Sequence, residues 1–104
     1  MKLLTKELIE RFAQVGRQDN TSDPIVVAKY FNPTGIGTWY ATAWLPEEQL
    51  FYGYVSLFGD DCDEFGYFSL SELMDFKGKL GLGIERDLHV GEKRLSEFDI
   101  PSLR

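Results

Sequence analysis

The amino-acid sequence predicts one α+β domain in which an antiparallel sheet of three to four strands packs with two principal helices. Residues 25–31, Thr38–Leu45 and residues 50–58 are rich in β-branched and aromatic side chains, a composition typical of strands. The connections NPTGIG and PEEQ are too short for the crossovers that parallel strands need. We therefore expect an antiparallel meander, with a helical pattern before it and another after it.

The length of 104 residues predicts a single domain over residues 1–104. Apolar residues make up 43% of the chain and aromatic residues 14%, which supplies enough bulk for a compact core. The chain should therefore fold without disulfide bonds or a structural metal.

The first helix is predicted over residues 6–14. Thr5 can cap its start, Leu8 and Phe12 recur at helical spacing, and Gly16 provides a stop. A second helix is predicted to begin near Leu70, because Ser69 and Glu72 have the spacing of a capping box. In the glycine-punctuated remainder we expect a short strand around residues 86–90 and a last helical turn near residues 94–98.

Net charge restricts the classes of partner. The chain has 17 acidic and 11 basic residues and a formal net charge of −6, so its average field repels phosphate backbones and anionic lipid. Charged side chains in the first twelve residues interrupt any signal-peptide pattern, and no run approaches the roughly 20 apolar residues of a membrane span. We expect a cytoplasmic protein without direct contact to nucleic acid or membrane.

An acidic stretch, DDCDEFGYFSLSE, matches part of a calcium loop. With Asp61 as the first position, Asp63 is third, Gly66 sixth and Glu72 twelfth, but the fifth position is Phe65, which provides no ligand. An acidic turn between a strand and a helix also accounts for the pattern. The turn is the favoured interpretation, and a calcium-binding module at residues 61–72 is an alternative.

A second alternative is a small hydrolase-like or metal-dependent enzyme. Glu85, Asp87 and His89 lie close together in the sequence and include types of residue that act as acids, bases or metal ligands. The sequence contains one histidine, and the loop GKLGLGIERD has neither a phosphate-loop lysine motif nor the third glycine of a dinucleotide fingerprint. We therefore predict no catalytic residue, metal site or cofactor.

Both faces of the predicted sheet are apolar. Strict alternation places four aromatic side chains on one face, namely those of Tyr40, Trp44, Tyr52 and Tyr54. Either a helix covers each face, or the aromatic face stays partly open for a partner, since aromatic residues are favoured in interfaces.

Four motifs in order, MKLLTKEL, TWYATAW, FGYFSLSEL and LGLGIERDLHVG, resemble the family grouped as domain of unknown function 2958. The resemblance runs over essentially the whole chain. It implies a small single-domain bacterial protein of a kind often encoded on plasmids and other mobile elements, in some cases near antirestriction genes. It supplies no catalytic residues.

Together, these observations predict a small acidic, non-enzymatic accessory factor that binds a protein partner. The resemblance adds the setting of a bacterial mobile element. The most specific version of this hypothesis is a counter-defence role, in which the acidic protein would occupy a basic surface of a nuclease. The candidate partner-binding residues are Asp60, Asp61, Asp63, Glu64, Tyr40, Trp44, Tyr52 and Tyr54.

Overall fold

The computed structural model describes residues 1–103. The helices of this part of the chain are α1 (Lys6–Val15) and α2 (Leu70–Asp75). The strands are β1 (Ile25–Val26), β2 (Ala28–Phe31), β3 (Thr38–Leu45), β4 (Leu50–Ser56), β5 (Glu64–Ser69), β6 (Glu85–Arg86) and β7 (Lys93–Arg94). Single turns of 3-10 helix lie at Lys79–Gly81, Leu95–Glu97 and Pro101–Leu103.

Five strands form one antiparallel sheet in the order β5-β4-β3-β2-β6. Strands β1 and β7 pair separately as a short antiparallel ribbon. The α+β class and the antiparallel arrangement are confirmed, but the predicted count of three to four strands is too low. The missing strand is β5, which lies between the acidic turn and the second helix, and its FGYF run has strand composition.

Both predicted helix starts are confirmed. The Thr5 side chain accepts a hydrogen bond from the backbone N–H of Leu8 at 3.2 Å, and Gly16 ends α1 with a positive φ of 66°. The Ser69 hydroxyl accepts from the backbone N–H of Glu72 at 2.9 Å. Each cap satisfies one of the amides that a helix start leaves without an intrahelical partner.

One face of the sheet packs against α1 and α2. Its central side chain is Phe51, which is fully buried and lies within ring contact of four other aromatic residues. Those residues are Phe12, Tyr30, Trp44 and Phe68, with ring centroids 4.7 to 5.9 Å from that of Phe51. Phe12 of α1 and Leu73 of α2 belong to the same buried cluster as Phe51, so this core holds both helices on the sheet.

The opposite face has a smaller core. The C-terminal segment, residues 92–103, crosses this face and places Leu95 and Ile100 against Tyr40 and Tyr54. Strand β7 and two single turns of 3-10 helix make up most of the segment, so this face is covered in part by short elements and not by an α-helix. No helix within residues 1–103 has the length and apolar character to cross a membrane.

A β-bulge interrupts the pairing of β3 with β4. Ala41 pairs with Gly53 and Ala43 with Tyr52, so Thr42 is an additional residue in β3. Thr42 is 1% exposed and donates a hydrogen bond from its hydroxyl to the carbonyl of Tyr52 at 3.2 Å. Beyond the bulge, the side chains of β3 alternate in the opposite phase.

Candidate protein-binding surface

The bulge changes the position of one predicted binding residue. Trp44 pairs directly with Phe51, and the two ring centroids lie 4.7 Å apart on the helix-covered face. The prediction that Trp44 shares a face with the three tyrosines is therefore wrong. Strict alternation did not allow for the extra residue at Thr42.

Two of the tyrosines are buried beneath the C-terminal segment. Tyr40 is 6% exposed, and its ring meets that of Phe98 edge-on at 5.1 Å. Tyr54 is 4% exposed, and its hydroxyl lies in hydrogen-bond contact with that of Ser102 at 2.8 Å. Burial raises the pKa of Tyr40, and the neighbouring carboxylates of Asp63 and Asp99 raise it further.

Tyr52 is half-buried and belongs to an aromatic row that reaches solvent. Along β5, Phe65 is opposite Tyr54 and Tyr67 is opposite Tyr52. The Tyr52 ring meets Tyr67 edge-on at 4.9 Å and stacks parallel to Phe65 at 6.1 Å. Phe65 is 40% exposed and Tyr67 54% exposed. We call the surface formed by Tyr52, Phe65 and Tyr67 the aromatic groove.

Phe65 and Tyr67 are not among the binding residues that the sequence predicts. In the sequence, Phe65 takes the fifth position of an incomplete calcium loop, and Tyr67 lies in the approach to the second helix. The signal that could have found them is the alternation through Phe65, Gly66, Tyr67 and Phe68, in which every second position shares a face of a strand.

The groove lies between two walls. Residues 17–24 form one wall, where a cavity of about 320 Å³ is lined by Gln18, Pro24, Tyr52 and Phe65, among others. The C-terminal segment forms the other wall, where a cavity of about 440 Å³ extends from Phe65 to Leu103. The Phe65 ring lines both cavities, so it is the central side chain of the surface.

The first wall is held by the side chain of Gln18. Its amide nitrogen donates to the carbonyl oxygens of Ile25 and Thr42 at 2.9 and 2.8 Å, and its amide oxygen accepts from the N–H of Ile25 at 2.8 Å. Arg17 donates to the Tyr67 hydroxyl at 3.1 Å. These contacts fix the loop against the bulged part of the sheet.

The acidic turn, residues 57–64, leads directly into the edge strand of the groove. Asp60, Asp61 and Glu64 are exposed, whereas Asp63 is half-buried. Asp60 accepts a hydrogen bond from the backbone N–H of Cys62 at 2.9 Å, which stabilises the turn. Three carboxylates are thus presented to solvent immediately before Phe65 in the chain, and that of Glu64 lies on the opposite face of β5 from the Phe65 ring.

Asp63 has a structural position within this turn. One carboxylate oxygen accepts from the backbone N–H groups of Leu57, Phe58 and Gly59, and the other accepts from the hydroxyls of Ser56 and Ser102 at 2.7 and 2.8 Å. Partial burial opposes ionisation of Asp63, but these hydrogen bonds outweigh it and lower the pKa of the carboxyl. The carboxylate therefore closes the turn and attaches the C-terminal segment to it.

The possible calcium loop does not close. Strand β5 runs from Glu64 to Ser69 between the turn that contains Asp61 and the helix that contains Glu72. A six-residue strand spans roughly 20 Å, which is far beyond the distance over which two carboxylates can share one cation. Within residues 1–103, no cluster of three or more His, Cys, Asp or Glu side chains is arranged to hold a metal ion.

The residues considered for an enzyme site are not gathered in one cleft. Glu85 lines a cavity with the N-terminal residues, and Asp87 lines a different cavity. Asp87 forms an ion pair with Lys29 at 3.5 Å and accepts from the backbone N–H of His89, whose side chain is exposed. The Asp87 carboxylate is thus engaged in local structure.

The fold and this surface define a small α+β protein with an acidic turn beside an exposed aromatic groove. A family model described as a protein of unknown function (DUF2958) matches residues 3–100, and the chain belongs to this family. A search of curated proteins and a search of solved structures each found no match.

Proposed function

We propose that this protein is a non-enzymatic accessory factor that binds a basic protein partner through the aromatic groove and the acidic turn. The observation that carries the proposal is the exposure of Phe65 and Tyr67 on the strand that follows a turn with three solvent-facing carboxylates. Aromatic rings that remain exposed and stacked on a rigid sheet are suited to act as binding anchors.

Charge indicates the kind of partner. Asp60, Asp61 and Glu64 add local negative charge to a chain whose net charge is −6. An acidic rim accelerates association with a basic surface and disfavours acidic competitors. Apolar contacts with the groove would then slow dissociation. A partner surface that is basic and also carries apolar side chains therefore complements both parts of the site.

The biological setting of the proposal follows the family resemblance. We propose that the protein serves a mobile element in the bacterial cytoplasm, and that its partner is a nucleic-acid-binding enzyme of host defence. A basic surface that binds nucleic acid would be blocked by an acidic protein seated on it.

The test is comparative affinity capture from a lysate of the native host. The wild-type protein is compared with a turn variant carrying Asp60→Asn, Asp61→Asn and Glu64→Gln, and with a groove variant, Phe65→Ala. Asp63 is left unchanged because its carboxylate closes the turn. We expect mass spectrometry to identify a basic protein that the wild type retains and both variants lose.

The control variants change charge and apolar area elsewhere on the surface. Glu10→Gln, Glu47→Gln and Glu48→Gln together remove the same charge from exposed positions outside the turn. Ile36→Ala shortens an apolar side chain that is 67% exposed. If these controls lose the same proteins as the site variants, or if all variants retain the same proteins as the wild type, the proposed surface is wrong.

A further inference from the structure

Strand β5 is at the edge of the five-stranded sheet. It pairs with β4 along one side over six residues, from Glu64 to Ser69, and no other strand of residues 1–103 pairs with its outer side. The opposite edge, β6, is only two residues long. The sheet therefore has one long open edge, and this edge carries the exposed half of the aromatic groove.

The pairing pattern identifies the backbone groups that face outward. Leu70 continues the register of β5 and donates its N–H to the carbonyl of Gln49 at 3.3 Å. Since hydrogen-bonded positions alternate in an antiparallel pair, the backbone groups of Phe65, Tyr67 and Ser69 point away from β4. The outer edge thus presents a row of donors and acceptors on the same residues that carry the exposed rings.

The edge lacks three of the features that prevent strand pairing. Proteins commonly protect an open edge with lysine, proline or a bulge. Strand β5 has the sequence EFGYFS, without lysine or proline, and its register with β4 is regular throughout. At Gly66 a Cβ would meet no atom within 4 Å, so the middle of the strand is open to a close neighbour.

We propose that β5 accepts an added strand from an extended basic segment of the partner. This inference rests on the proposed function and names its binding mode. Backbone hydrogen bonds from the added strand would pair with the outward groups of Phe65 and Tyr67, and its apolar side chains would extend the aromatic groove. Basic side chains on its other face would lie on the same side of the sheet as Glu64.

Charge favours such a segment over a second copy of this chain. A second copy brings another net charge of −6 and the same acidic turn. A lysine-bearing strand instead gains favourable interaction with Glu64 and with the turn that precedes it. The occupant is therefore a basic strand from another protein.

The probe is a synthetic nine-residue peptide of alternating lysine and valine. Binding to the full-length protein is measured by fluorescence anisotropy at low salt, and hydrogen exchange of backbone amides is followed by NMR. We expect the amides of Phe65, Tyr67 and Ser69 to gain protection when the peptide binds. The amides of Gly66 and Phe68 already pair with β4, so their exchange should change little.

Two methylated peptides separate strand pairing from attraction of charge. One carries N-methyl groups on its valines and the other on its lysines, so both keep the composition and charge of the probe. An added strand directs alternate N–H groups toward β5, and methylation of only that set should weaken binding roughly tenfold or more. For an antiparallel added strand, the sensitive set is the valines.

Two protein variants test the same edge. Tyr67→Pro removes an outward N–H without removing a bond to β4, and Tyr67→Ala removes the ring but keeps that N–H. We expect Tyr67→Pro to weaken binding more than Tyr67→Ala. The methylated peptides use the wild-type protein, so they decide the question even if the proline variant fails to fold.

The possible results distinguish this inference from the proposed function. The inference that β5 accepts an added strand is wrong if the probe does not bind, if both methylated peptides bind alike, or if the amides of Phe65, Tyr67 and Ser69 gain no protection. Capture of a basic protein that still depends on Phe65 and the acidic turn would then leave the proposed function standing. If only one methylated peptide loses affinity, but binding does not depend on Phe65 or on the acidic turn, strand pairing at β5 is supported. The aromatic groove and the acidic turn are then rejected as the binding surface.

Discussion

Gly53 and Gly66 are directly opposite each other on β4 and β5, but their surroundings differ completely. A Cβ atom at Gly53 would collide with the carbonyl oxygen of Tyr40, next to the bulge in β3. A Cβ atom at Gly66 would meet no atom within 4 Å. The bulge thus brings the backbone of β3 so close to β4 that only glycine fits at position 53.

Substitution of these glycines should have opposite consequences. Gly53→Ala should lower the free energy of unfolding by about 3 kcal/mol, because backbone must move to admit the methyl group. Gly66→Ala should be neutral or slightly stabilising, since glycine within a strand carries an entropic cost. Urea denaturation of both variants measures the difference. Equal stability of the two would contradict the close approach at the bulge.

Removal of the cap on α2 should weaken the domain. Ser69→Ala leaves the N–H of Glu72 without its side-chain acceptor and should cost about 1 kcal/mol in the free energy of unfolding. Ser22→Ala is the matched control, because Ser22 is exposed and lies far from α2 in the sequence, whereas the Ser71 hydroxyl contacts the capping Ser69 hydroxyl at 3.2 Å. Denaturant melts that show the same stability for both variants would indicate that the cap contributes nothing.

The C-terminal segment should loosen in acid. Three carboxylates with lowered pKa values hold it, through the pairs Ser96–Asp23, Ser102–Asp63 and Arg11–Glu92. Hydrogen bonds from Ser96 lower the pKa of Asp23, and those from Arg11 lower the pKa of Glu92. At Asp63, hydrogen bonds overcome the opposing effect of burial.

The direction of this pH effect follows from the linkage between proton binding and folding. Each folded-state pKa lies below that of the unfolded chain, so the unfolded chain takes up protons first as pH falls. The stabilising contribution is present above about pH 4 and is lost as pH falls through the folded-state values. Hydrogen exchange should therefore show early loss of protection in residues 92–103 at acidic pH. Protection that falls equally in α1 and in this segment would oppose the prediction.

Mutations in the acidic turn and mutations in the aromatic groove should change different rate constants of partner binding. For the basic partner obtained by affinity capture, the turn variant (Asp60→Asn, Asp61→Asn, Glu64→Gln) should reduce the association rate and its salt dependence. Phe65→Ala should mainly raise the dissociation rate and cost roughly 1 to 4 kcal/mol in binding free energy. Surface plasmon resonance at two salt concentrations measures both rates. If the association rate of the turn variant is unchanged at low salt, the acidic turn is not part of the interface.

Calcium should not bind tightly at the acidic turn. Strand β5 separates Asp61 from Glu72, and the Asp63 carboxylate is occupied by hydrogen bonds within the turn. Isothermal titration calorimetry should therefore detect no binding in the micromolar range. Tight binding that both Asp61→Asn and Glu72→Gln abolish would contradict this expectation.

The sequence was informative where local interactions decide the structure. Thr5 and Ser69 mark the starts of both helices because a side-chain oxygen next to an apolar helical pattern satisfies an exposed amide wherever the helix later packs. The connections after β2 and β3 required antiparallel neighbours because they are too short for a crossover. The family could also be predicted, since its motifs occur in order along the chain.

Tertiary structure decided which aromatic side chains form the surface. The extra residue at Thr42 reverses the alternation of β3 and places Trp44 in the helix-covered core, and no local pattern marks that position as a bulge. Tyr40 and Tyr54 are buried because residues about 40 or more positions later cross over them. Phe65 and Tyr67 remain exposed because β5 became an edge strand. Helix caps and short turns depend on neighbours in the sequence, whereas exposure depends on packing between distant segments, and only the folded chain determines it.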